Sequence, residues 1–310
     1  MRETFRRHVD DFAALPVETY KTMHHKVFPD SRKDFSFLEG FKTVVVLALS
    51  YPKDKPPYKG KGYGTISRYA HGKDYHKVFK EKLDAIESEL RQKGIKAHGA
   101  VDINPLDERF AAYLSGLGFL GHNRFLIHPT YGTHLYLATL LIDTEFEEGR
   151  RIVDDCGECT RCVEACPTDA LRVGAFYEER CLSHLTQAKA VLKPWQLKTM
   201  KTTLFGCDVC QDVCPKNEGI KSIRRKVFES DEYAQLHLDT LLSLSNRELM
   251  RRFKNYAFAW RGGLVLKRNA IALMHNQGLL SKNIDKTYEA YKHVPWFEKS
   301  IRPLVKGEET

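Results

Sequence analysis

The sequence predicts a mixed α/β or α+β domain over residues 1–150, a metal-binding segment over 151–220 and a helical segment over 221–310. Three observations support this division. Strand-like and helix-like patterns alternate before residue 150, all eight cysteines lie between Cys156 and Cys214, and the pattern after about residue 230 is helical. A chain of 310 residues can bury a substantial core, and its 42% hydrophobic and 29% charged residues exclude wholesale disorder.

The elements of the first domain are predicted from hydrophobic periodicity and turn residues. Residues 42–50, KTVVVLALS, form an apolar run of strand length that ends before Pro52. Apolar residues recur every three or four positions over 75–93, which predicts an amphipathic helix that ends at Gly94. The other predicted elements are a partly helical segment within 1–40, a strand over 97–101, a helix over 108–117, a strand over 134–142 and a later helix over 263–275.

The first four cysteines are spaced as in a bacterial ferredoxin. Cys156, Cys159, Cys162 and Cys166 are followed by Pro167 in the pattern C-x2-C-x2-C-x3-C-P. Thiolates are soft ligands that suit iron–sulfur clusters. Zinc also binds C-x2-C pairs, so a zinc site is the alternative, but the spacing favours an iron–sulfur cluster.

A second group, Cys207, Cys210 and Cys214 followed by Pro215, repeats the last part of this spacing. The cysteine that would begin a full run is absent, because position 204 is leucine. Eight cysteines complete two four-ligand sites if the fourth ligand of each run is exchanged between clusters and Cys181 is included. A buried free thiol is the alternative for Cys181. The predicted first [4Fe-4S] cluster has Cys156, Cys159, Cys162 and Cys214 as ligands, and the second has Cys166, Cys181, Cys207 and Cys210.

The net charge of +9 is concentrated in the last third of the chain. Residues 216–310 contain 18 Lys and Arg against 11 Asp and Glu, a net of +7. Within 247–268, basic and aromatic residues are interleaved, which suits an RNA loop with unstacked bases. A solvated charged helix face with buried aromatics is the alternative. The predicted RNA contacts are Lys189, Arg252, Arg261, Lys267 and Arg268.

Several segments together resemble the epoxyqueuosine reductase family, over about residues 25–275. They occur in the order found in that family. The segments are RYAHGKDYH (68–76), VDINPLDERFAAYLSGLGFLGHN (101–123), the first cysteine run, RCLSHLTQ (180–187), FGCDVCQDVCPKN (205–217) and AWRGGLVLKRNAIALMHN (259–276).

The resemblance implies a cobalamin-binding first domain, a ferredoxin-like domain with two [4Fe-4S] clusters, and a basic helical segment that binds tRNA. The implied reaction reduces epoxyqueuosine to queuosine in the anticodon stem-loop of tRNA, with electrons from an unidentified low-potential donor. Helical repeats follow in longer family members, whereas this chain ends soon after the basic segment. The first residues lack an apolar signal region, so we expect a cytoplasmic protein without a membrane partner.

The resemblance also implies individual site residues. Asp102 matches the general acid of the family, a role that needs a raised pKa, whereas an ordinary turn aspartate is the alternative. The implied cofactor-binding residues, for which packing or turn formation is the alternative, are Arg32, Ser67, Asp102, Leu126, Leu137, Ser183, Asp208 and Val209.

Two other functions are also compatible with the sequence. A small-molecule corrinoid reductase of the reductive-dehalogenase type also combines cobalamin with two clusters, but has little use for a basic C-terminal third. A ferredoxin-like electron carrier needs neither Asp102 nor about 150 residues ahead of the clusters. Salt-sensitive binding of stem-loop RNA distinguishes the first function from both alternatives.

Overall fold

A computed structural model describes residues 1–102, 105–149, 152, 154–223 and 225–307. The strands are β1 (Asp11–Pro16), β2 (Thr43–Ser50), β3 (Tyr63–Ile66), β4 (Ala97–Ala100), β5 (Phe119–Leu120), β6 (Leu126–Ile127), β7 (Leu135–Ile142), β8 (Leu171–Arg172), β9 (Ala175–Phe176), β10 (Thr203–Phe205) and β11 (Gln235–His237). The helices are α1 (Arg2–His8), α2 (Val17–Val27), α3 (Tyr75–Arg91), α4 (Glu108–Leu114), α5 (Arg161–Glu164), α6 (Leu182–Leu185), α7 (Pro194–Thr199), α8 (Val209–Asp212), α9 (Leu238–Ser243), α10 (Asn246–Phe253), α11 (Gly263–Asn276), α12 (Lys282–Tyr291) and α13 (Pro295–Lys306).

The chain forms two compact units that alternate along the sequence. Unit one consists of Met1–Tyr51, Tyr75–Cys159 and Pro215–Ile223. Unit two consists of Pro52–Asp74, Thr160–Cys214 and Arg224–Thr310. The functional domains assigned above to 1–150, 151–220 and 221–310 remain predictions.

Unit one is built on a four-stranded antiparallel sheet in the order β1-β2-β7-β4. All eight residues of β2 are buried, because this strand lies between two others and both of its faces are covered. Val44, Val46 and Ala48 belong to a hydrophobic cluster that includes Leu15 and Phe110. The helices α2 and α4 contact β1 and β2, whereas α3 contacts β4 and β7.

Unit two contains a three-stranded sheet in the order β10-β3-β11, in which β10 runs parallel and β11 antiparallel to β3. The helix α11 is the central element of this unit. It packs against α7, α9, α10, α13 and β10. A helix that is covered on every side is expected to be apolar throughout, yet α11 buries Lys267, Arg268 and Asn269 in succession.

The strongly periodic segments fold as the sequence predicts. The predicted strands 42–50 and 134–142 are β2 and β7, and the predicted helices 75–93 and 263–275 are α3 and α11, with ends that differ by a residue or two. The strand β1 was not predicted. The sheet of unit one is antiparallel, which makes it an α+β arrangement. Among the described residues, no helix has the length and apolar character needed to cross a membrane.

Candidate cofactor and catalytic site

All four predicted ligands of the second cluster lie in unit two. Cys181 immediately precedes α6, and Cys210 lies on α8. Burial raises the pKa of the Cys210 thiol far above its usual value, and the charges of Cys207, Cys181, Cys162 and Cys166 raise it further. Because Cys162 is a predicted ligand of the first cluster, this effect on the pKa does not separate the two predicted ligand sets.

The surroundings of Cys207 raise the pKa of its thiol, whereas those of Cys166 lower it. Burial raises the pKa of Cys207 to about 12. Burial also opposes ionisation of Cys166, but hydrogen bonds from the backbone N–H groups of Thr168, Leu171 and Ala170 outweigh it, so the pKa of Cys166 is lowered. Backbone donors around a thiolate sulfur favour its charged, metal-binding form.

The predicted ligands of the first cluster are divided between the two units. In unit one, the Cys159 N–H donates to the Cys156 carbonyl at 3.1 Å, and the His122 N–H approaches Cys156 Sγ at 3.4 Å. In unit two, the buried Cys162 lies on α5, and the buried Cys214 follows α8 closely. The helices α5 and α8 pack against each other, which places these two segments side by side.

A cavity of about 370 Å³ lies within unit two, next to the second cysteine group. Cys207, Asp208 and Val209 line it, together with Ser67 from the segment after β3. The Ser67 hydroxyl donates to Asp208 Oδ1, and the Arg68 N–H donates to Asp208 Oδ2 at 3.2 Å. Three residues predicted to bind the cofactor are therefore brought to one wall, although Ser67 and Asp208 are far apart in the sequence.

The buried Arg68 stabilises this wall of the cavity. The Arg68 guanidinium pairs with Asp212 at 2.6 Å and donates to the Lys53 carbonyl at 2.8 Å. Gly206, directly before Cys207, has a φ of 73°, and a Cβ there would lie 2.4 Å from the Ser67 Cβ. Only glycine permits both this backbone conformation and this close approach.

Asp102 lies in unit one, after β4, with a left-handed φ of 54°. Its carboxylate accepts hydrogen bonds from the Tyr75 hydroxyl and from His76 Nε2, the latter at 2.7 Å. The Asp102 side chain is 42% exposed, and its partial burial raises the pKa, but hydrogen bonds from His76 and Tyr75 and the charge of Arg109 outweigh this effect, so the pKa is lowered. The expectation of a raised pKa is therefore wrong for this conformation, in which Asp102 is an acceptor.

The other predicted cofactor residues have different surroundings. Leu126 and Leu137 are buried in the hydrophobic cluster of unit one, where they pack as core residues. Arg32 is exposed in the segment between α2 and β2. In unit two, Ser183 lies on α6, where its carbonyl accepts from Gln187 Nε2 at 3.0 Å.

Two of the predicted RNA contacts are wrong. Lys267 and Arg268 are only 2% and 0% exposed, because α11 is covered on all sides. Lys267 Nζ donates to the carbonyls of Leu242 and Leu244, at the C-terminal end of α9, where it satisfies otherwise unpaired acceptors. The Arg268 guanidinium likewise donates to backbone carbonyls inside unit two.

The remaining predicted RNA contacts lie at the surface of unit two. Arg252 and Lys189 are exposed, and the Arg261 guanidinium lies 3.8 Å from the centre of the Trp260 ring. Trp260 is 58% exposed, and its Nε1 donates to Gln187 Oε1 at 2.9 Å. An exposed tryptophan fixed by one hydrogen bond and stacked with an arginine provides a flat platform for a base.

Sequence reasoning missed several residues that the structure places at these sites. Tyr75 and His76 belong to the segment RYAHGKDYH (68–76), which resembles the family, but the sequence does not indicate that they contact Asp102. The Arg68–Asp212 pair and the hydrogen bonds of Asn269 join segments distant in sequence, and no spacing pattern indicates them.

Two family models and several characterised proteins are similar to this chain. Residues 33–103 match the family model described as epoxyqueuosine reductase QueG, DUF1730, and residues 155–217 match the 4Fe-4S double cluster binding domain. The epoxyqueuosine reductase of Bacillus subtilis is 41% identical over 76% of this chain and 63% of its own length. The chain thus matches slightly less than two thirds of that relative.

Two further relatives are matched over a larger share of their own length. The epoxyqueuosine reductase of Lactococcus garvieae is 34% identical over 81% of this chain and 74% of its own. A crystal structure of epoxyqueuosine reductase with an epoxyqueuosine-modified tyrosine tRNA stem loop superposes with a TM-score of 0.81, at 28% identity, over 98% of this chain and 97% of that one.

Proposed function

The chain belongs to the epoxyqueuosine reductase family, and we propose that it reduces epoxyqueuosine to queuosine at the wobble position of tRNA. The observation that carries the proposal is the cavity of unit two, which is lined by Cys207, a predicted cluster ligand, beside Ser67 and Asp208. A cofactor bound there would lie directly next to a source of single electrons.

Each of the two predicted [4Fe-4S] clusters would be held by four thiolates. The second takes Cys166, Cys181, Cys207 and Cys210, all of which lie in unit two. The first takes Cys156, Cys159 and Cys162 from the ferredoxin-like run and Cys214 from the end of the second cysteine group, because the fourth ligands are exchanged. Because the metal-free thiols of Cys207 and Cys210 have raised pKa values, cluster assembly should release protons.

The residues on this wall of the cavity can contact part of a cobalamin, which is larger than the cavity of about 370 Å³. A corrin ring carries amide side chains around its edge, and the Ser67 hydroxyl, the Asp208 carboxylate and nearby backbone groups can exchange hydrogen bonds with them. Ser67, Asp208 and Val209 would hold the cofactor, while Arg68 fixes Asp208 in place. When bound, cobalamin supplies a strongly reducing, nucleophilic metal centre.

The reaction balances with two electrons and two protons. Both carbon–oxygen bonds of the epoxide break, a carbon–carbon double bond forms, and the oxygen leaves as water. A low-potential donor outside this chain would supply the electrons, which the two clusters pass on one at a time. The protein must therefore bind the RNA, position the epoxide and provide a proton at the departing oxygen.

Asp102 is the proposed proton donor. In the conformation described here it is anionic, because Tyr75 and His76 donate to it. We infer that it acts after these hydrogen bonds are exchanged for contacts in a drier, substrate-bound site, which would raise the pKa of its carboxyl group. His76, at hydrogen-bond distance, is placed to return a proton to it between turnovers.

The RNA would bind to the basic and aromatic surface that contains Arg252, Trp260, Arg261 and Lys189. Cations there would contact phosphates, and the exposed Trp260 ring would stack on a base of the anticodon loop. A hydrogen bond from Trp260 to Gln187, which in turn donates to the Ser183 carbonyl, connects this surface to α6.

Anaerobic reconstitution with iron, sulfide and cobalamin tests the cofactor part of the proposal. We expect about eight iron and eight sulfide per chain from two four-iron clusters, together with about one cobalt. Ser67→Leu should reduce cobalt without reducing iron, because Ser67 lines the cavity but is not a cluster ligand. A chain that retains clusters but no cobalt would support a ferredoxin-like carrier instead.

A further inference from the structure

Arg268 is a buried cation whose hydrogen bonds go to two backbone carbonyls and to the side chain of the next residue. Its side chain is 0% exposed. The guanidinium donates to the carbonyl of Leu185 at 2.9 Å and to that of Ala188, and it also donates to the Asn269 side chain. The carbonyls belong to the last residue of α6 and to the turn after it, where helical acceptors lack partners of their own.

Asn269, the next residue of α11, also donates to the segment after α6 and links that segment to β10. Asn269 is also 0% exposed, and its Nδ2 donates to the Thr186 carbonyl at 2.7 Å and to the Leu204 carbonyl at 2.8 Å. Thr186 adds a direct link, because its hydroxyl accepts from the Gly206 N–H at 2.9 Å. Residues 185–188 and 204–206 are therefore tied together by α11.

These two segments each lead to a predicted ligand of the second cluster. The Leu185 N–H donates to the Cys181 carbonyl at 2.9 Å, so Arg268 is connected to Cys181 through one helical turn. Gly206 immediately precedes Cys207. The position of Cys181 relative to Cys207 thus depends on backbone carbonyls that accept hydrogen bonds from Arg268 and Asn269.

The charge of Arg268 has no acidic partner in the described part of the chain. No ion pair with a carboxylate is found for it there, burial is the only influence on its pKa, and its guanidinium carbon lies 5.5 Å from the centre of the Trp296 ring. Burying a cation without an anion is costly. A cluster ligated by four thiolates is a net anion, and it would supply the missing negative charge nearby.

We propose that Arg268 and Asn269 are positioning residues for the second cluster, and that Arg268 also raises the reduction potential of that cluster through its buried positive charge. The proposal rests on the ligand set assigned above to the second cluster. It replaces the RNA-binding role that the sequence suggested for Arg268.

The expected size of the effect follows from the geometry. Four residues of α6 span roughly 6 Å, so the guanidinium lies on the order of 10 Å from the Cys181 thiolate. Two unit charges at about 10 Å, with an effective dielectric constant of about 20, change an equilibrium by roughly tenfold. Removing the positive charge should therefore disfavour the reduced, more negative cluster by about that factor.

Redox titrations followed by electron paramagnetic resonance test the charge effect. The variants are Arg268→Met, which removes the charge, and Arg268→Lys, which keeps it; Lys286→Met, which removes an exposed cation from α12, is the control. At a fixed applied potential, Arg268→Met should lower the reduced-to-oxidised ratio of the second cluster about tenfold, or about 59 mV for one electron. Lys286→Met should leave the ratio unchanged. An unchanged ratio in Arg268→Met would overturn the charge effect.

If Arg268→Met does not retain the second cluster, Arg268→Lys provides the test. A buried lysine loses its proton more easily than an arginine, so the potential of the second cluster in this variant should fall as the pH rises from about 7 to 10. A potential no more pH-dependent than that of the original chain would overturn the charge effect.

Asn269→Ala tests the positioning role without changing the charge. We expect it to lose iron from the second cluster and to broaden its resonance signal, while the signal of the first cluster is retained. Two full clusters with unchanged signals would overturn this role. None of these measurements needs cobalamin or tRNA, so a failure of the proposed tRNA reaction would be recorded separately.

Discussion

At the scale of single residues, the ionisation of Asp102 is decided by competition between burial and its donors. Tyr75 and His76, the first two residues of α3, donate hydrogen bonds from their side chains to this carboxylate. These donors outweigh burial, and the pKa of Asp102 falls. The proposed proton donor is therefore held in its charged form until its surroundings change.

Asp102→Asn should retain iron, sulfide and cobalt but lose turnover by roughly 10²–10⁴-fold, the range for a positioned general acid. Its matched control is Asp107→Asn, because Asp107 caps α4 by accepting from the Phe110 N–H, and asparagine caps a helix equally well. Turnover is measured as queuosine formed per chain. Near-normal turnover in Asp102→Asn would exclude this aspartate and direct attention to Asp107 and Glu108.

Cys181 decides whether the second cluster has a complete set of ligands. Cys181→Ala should reduce the iron content from about eight to about four per chain, because one four-iron cluster lacks a thiolate. Ser183→Ala, two residues away on α6, is the control and should retain about eight. Iron analysis and the resonance signals of each cluster provide the measurement. A Cys181→Ala chain with both clusters intact would remove Cys181 from the ligands.

At the scale of elements, the best predicted segments are those whose environment is uniform along their length. The strand β2 and the helix α3 follow from hydrophobic period alone, because one is buried throughout and the other buries one stripe. The strand β1 was missed because DFAALP contains two alanines and ends in proline, and its pairing with β2 is a tertiary contact.

The helix α11 shows where sequence reasoning about a site fails. Its Lys267 and Arg268 follow a run of basic and aromatic residues and read as RNA contacts, since composition carries no information about burial. The fold places both side chains on backbone carbonyls instead. Similarly, the cysteine spacing predicts the cluster ligands, whereas the pairing of Ser67 with Asp208 depends on how β3 and β10 associate.

The exposed surface beside α10 carries the corrected prediction for RNA binding. Arg252→Ala combined with Arg261→Ala should weaken binding to an anticodon stem-loop and flatten the log–log salt dependence by about one to two units, near 0.7 for each phosphate that the variant no longer neutralises. Trp260→Ala should weaken binding by roughly 1–3 kcal/mol with an unchanged salt slope, because stacking involves no counterion release. Fluorescence anisotropy across a salt series provides the measurement.

Exposed cations of unit one provide the control for these variants. Lys80→Ala combined with Arg91→Ala removes the same charge from α3, and it should leave the salt slope unchanged. If both double variants bind equally well, the basic residues beside α10 are surface charge without a role in RNA binding.

At the scale of the whole molecule, three requirements of one reaction meet in a single chain. The predicted clusters would pass on electrons, the cavity of unit two is lined by residues predicted to bind the cofactor, and the net charge of +7 over residues 216–310 favours a polyanionic substrate. The family supplies the connection between them, because related enzymes act on epoxyqueuosine. Each requirement alone is compatible with another function, whereas their combination favours a tRNA-modifying reductase.

The most direct test is anaerobic turnover of a stem-loop RNA that carries epoxyqueuosine. The reconstituted chain, with cobalamin and a low-potential chemical reductant, should convert epoxyqueuosine to queuosine, detected by mass spectrometry of the nucleosides as the loss of one oxygen atom. The same chain without cobalamin should form no queuosine. If the fully loaded chain binds the RNA and its clusters are reduced, but epoxyqueuosine is recovered unchanged, the proposed function is contradicted.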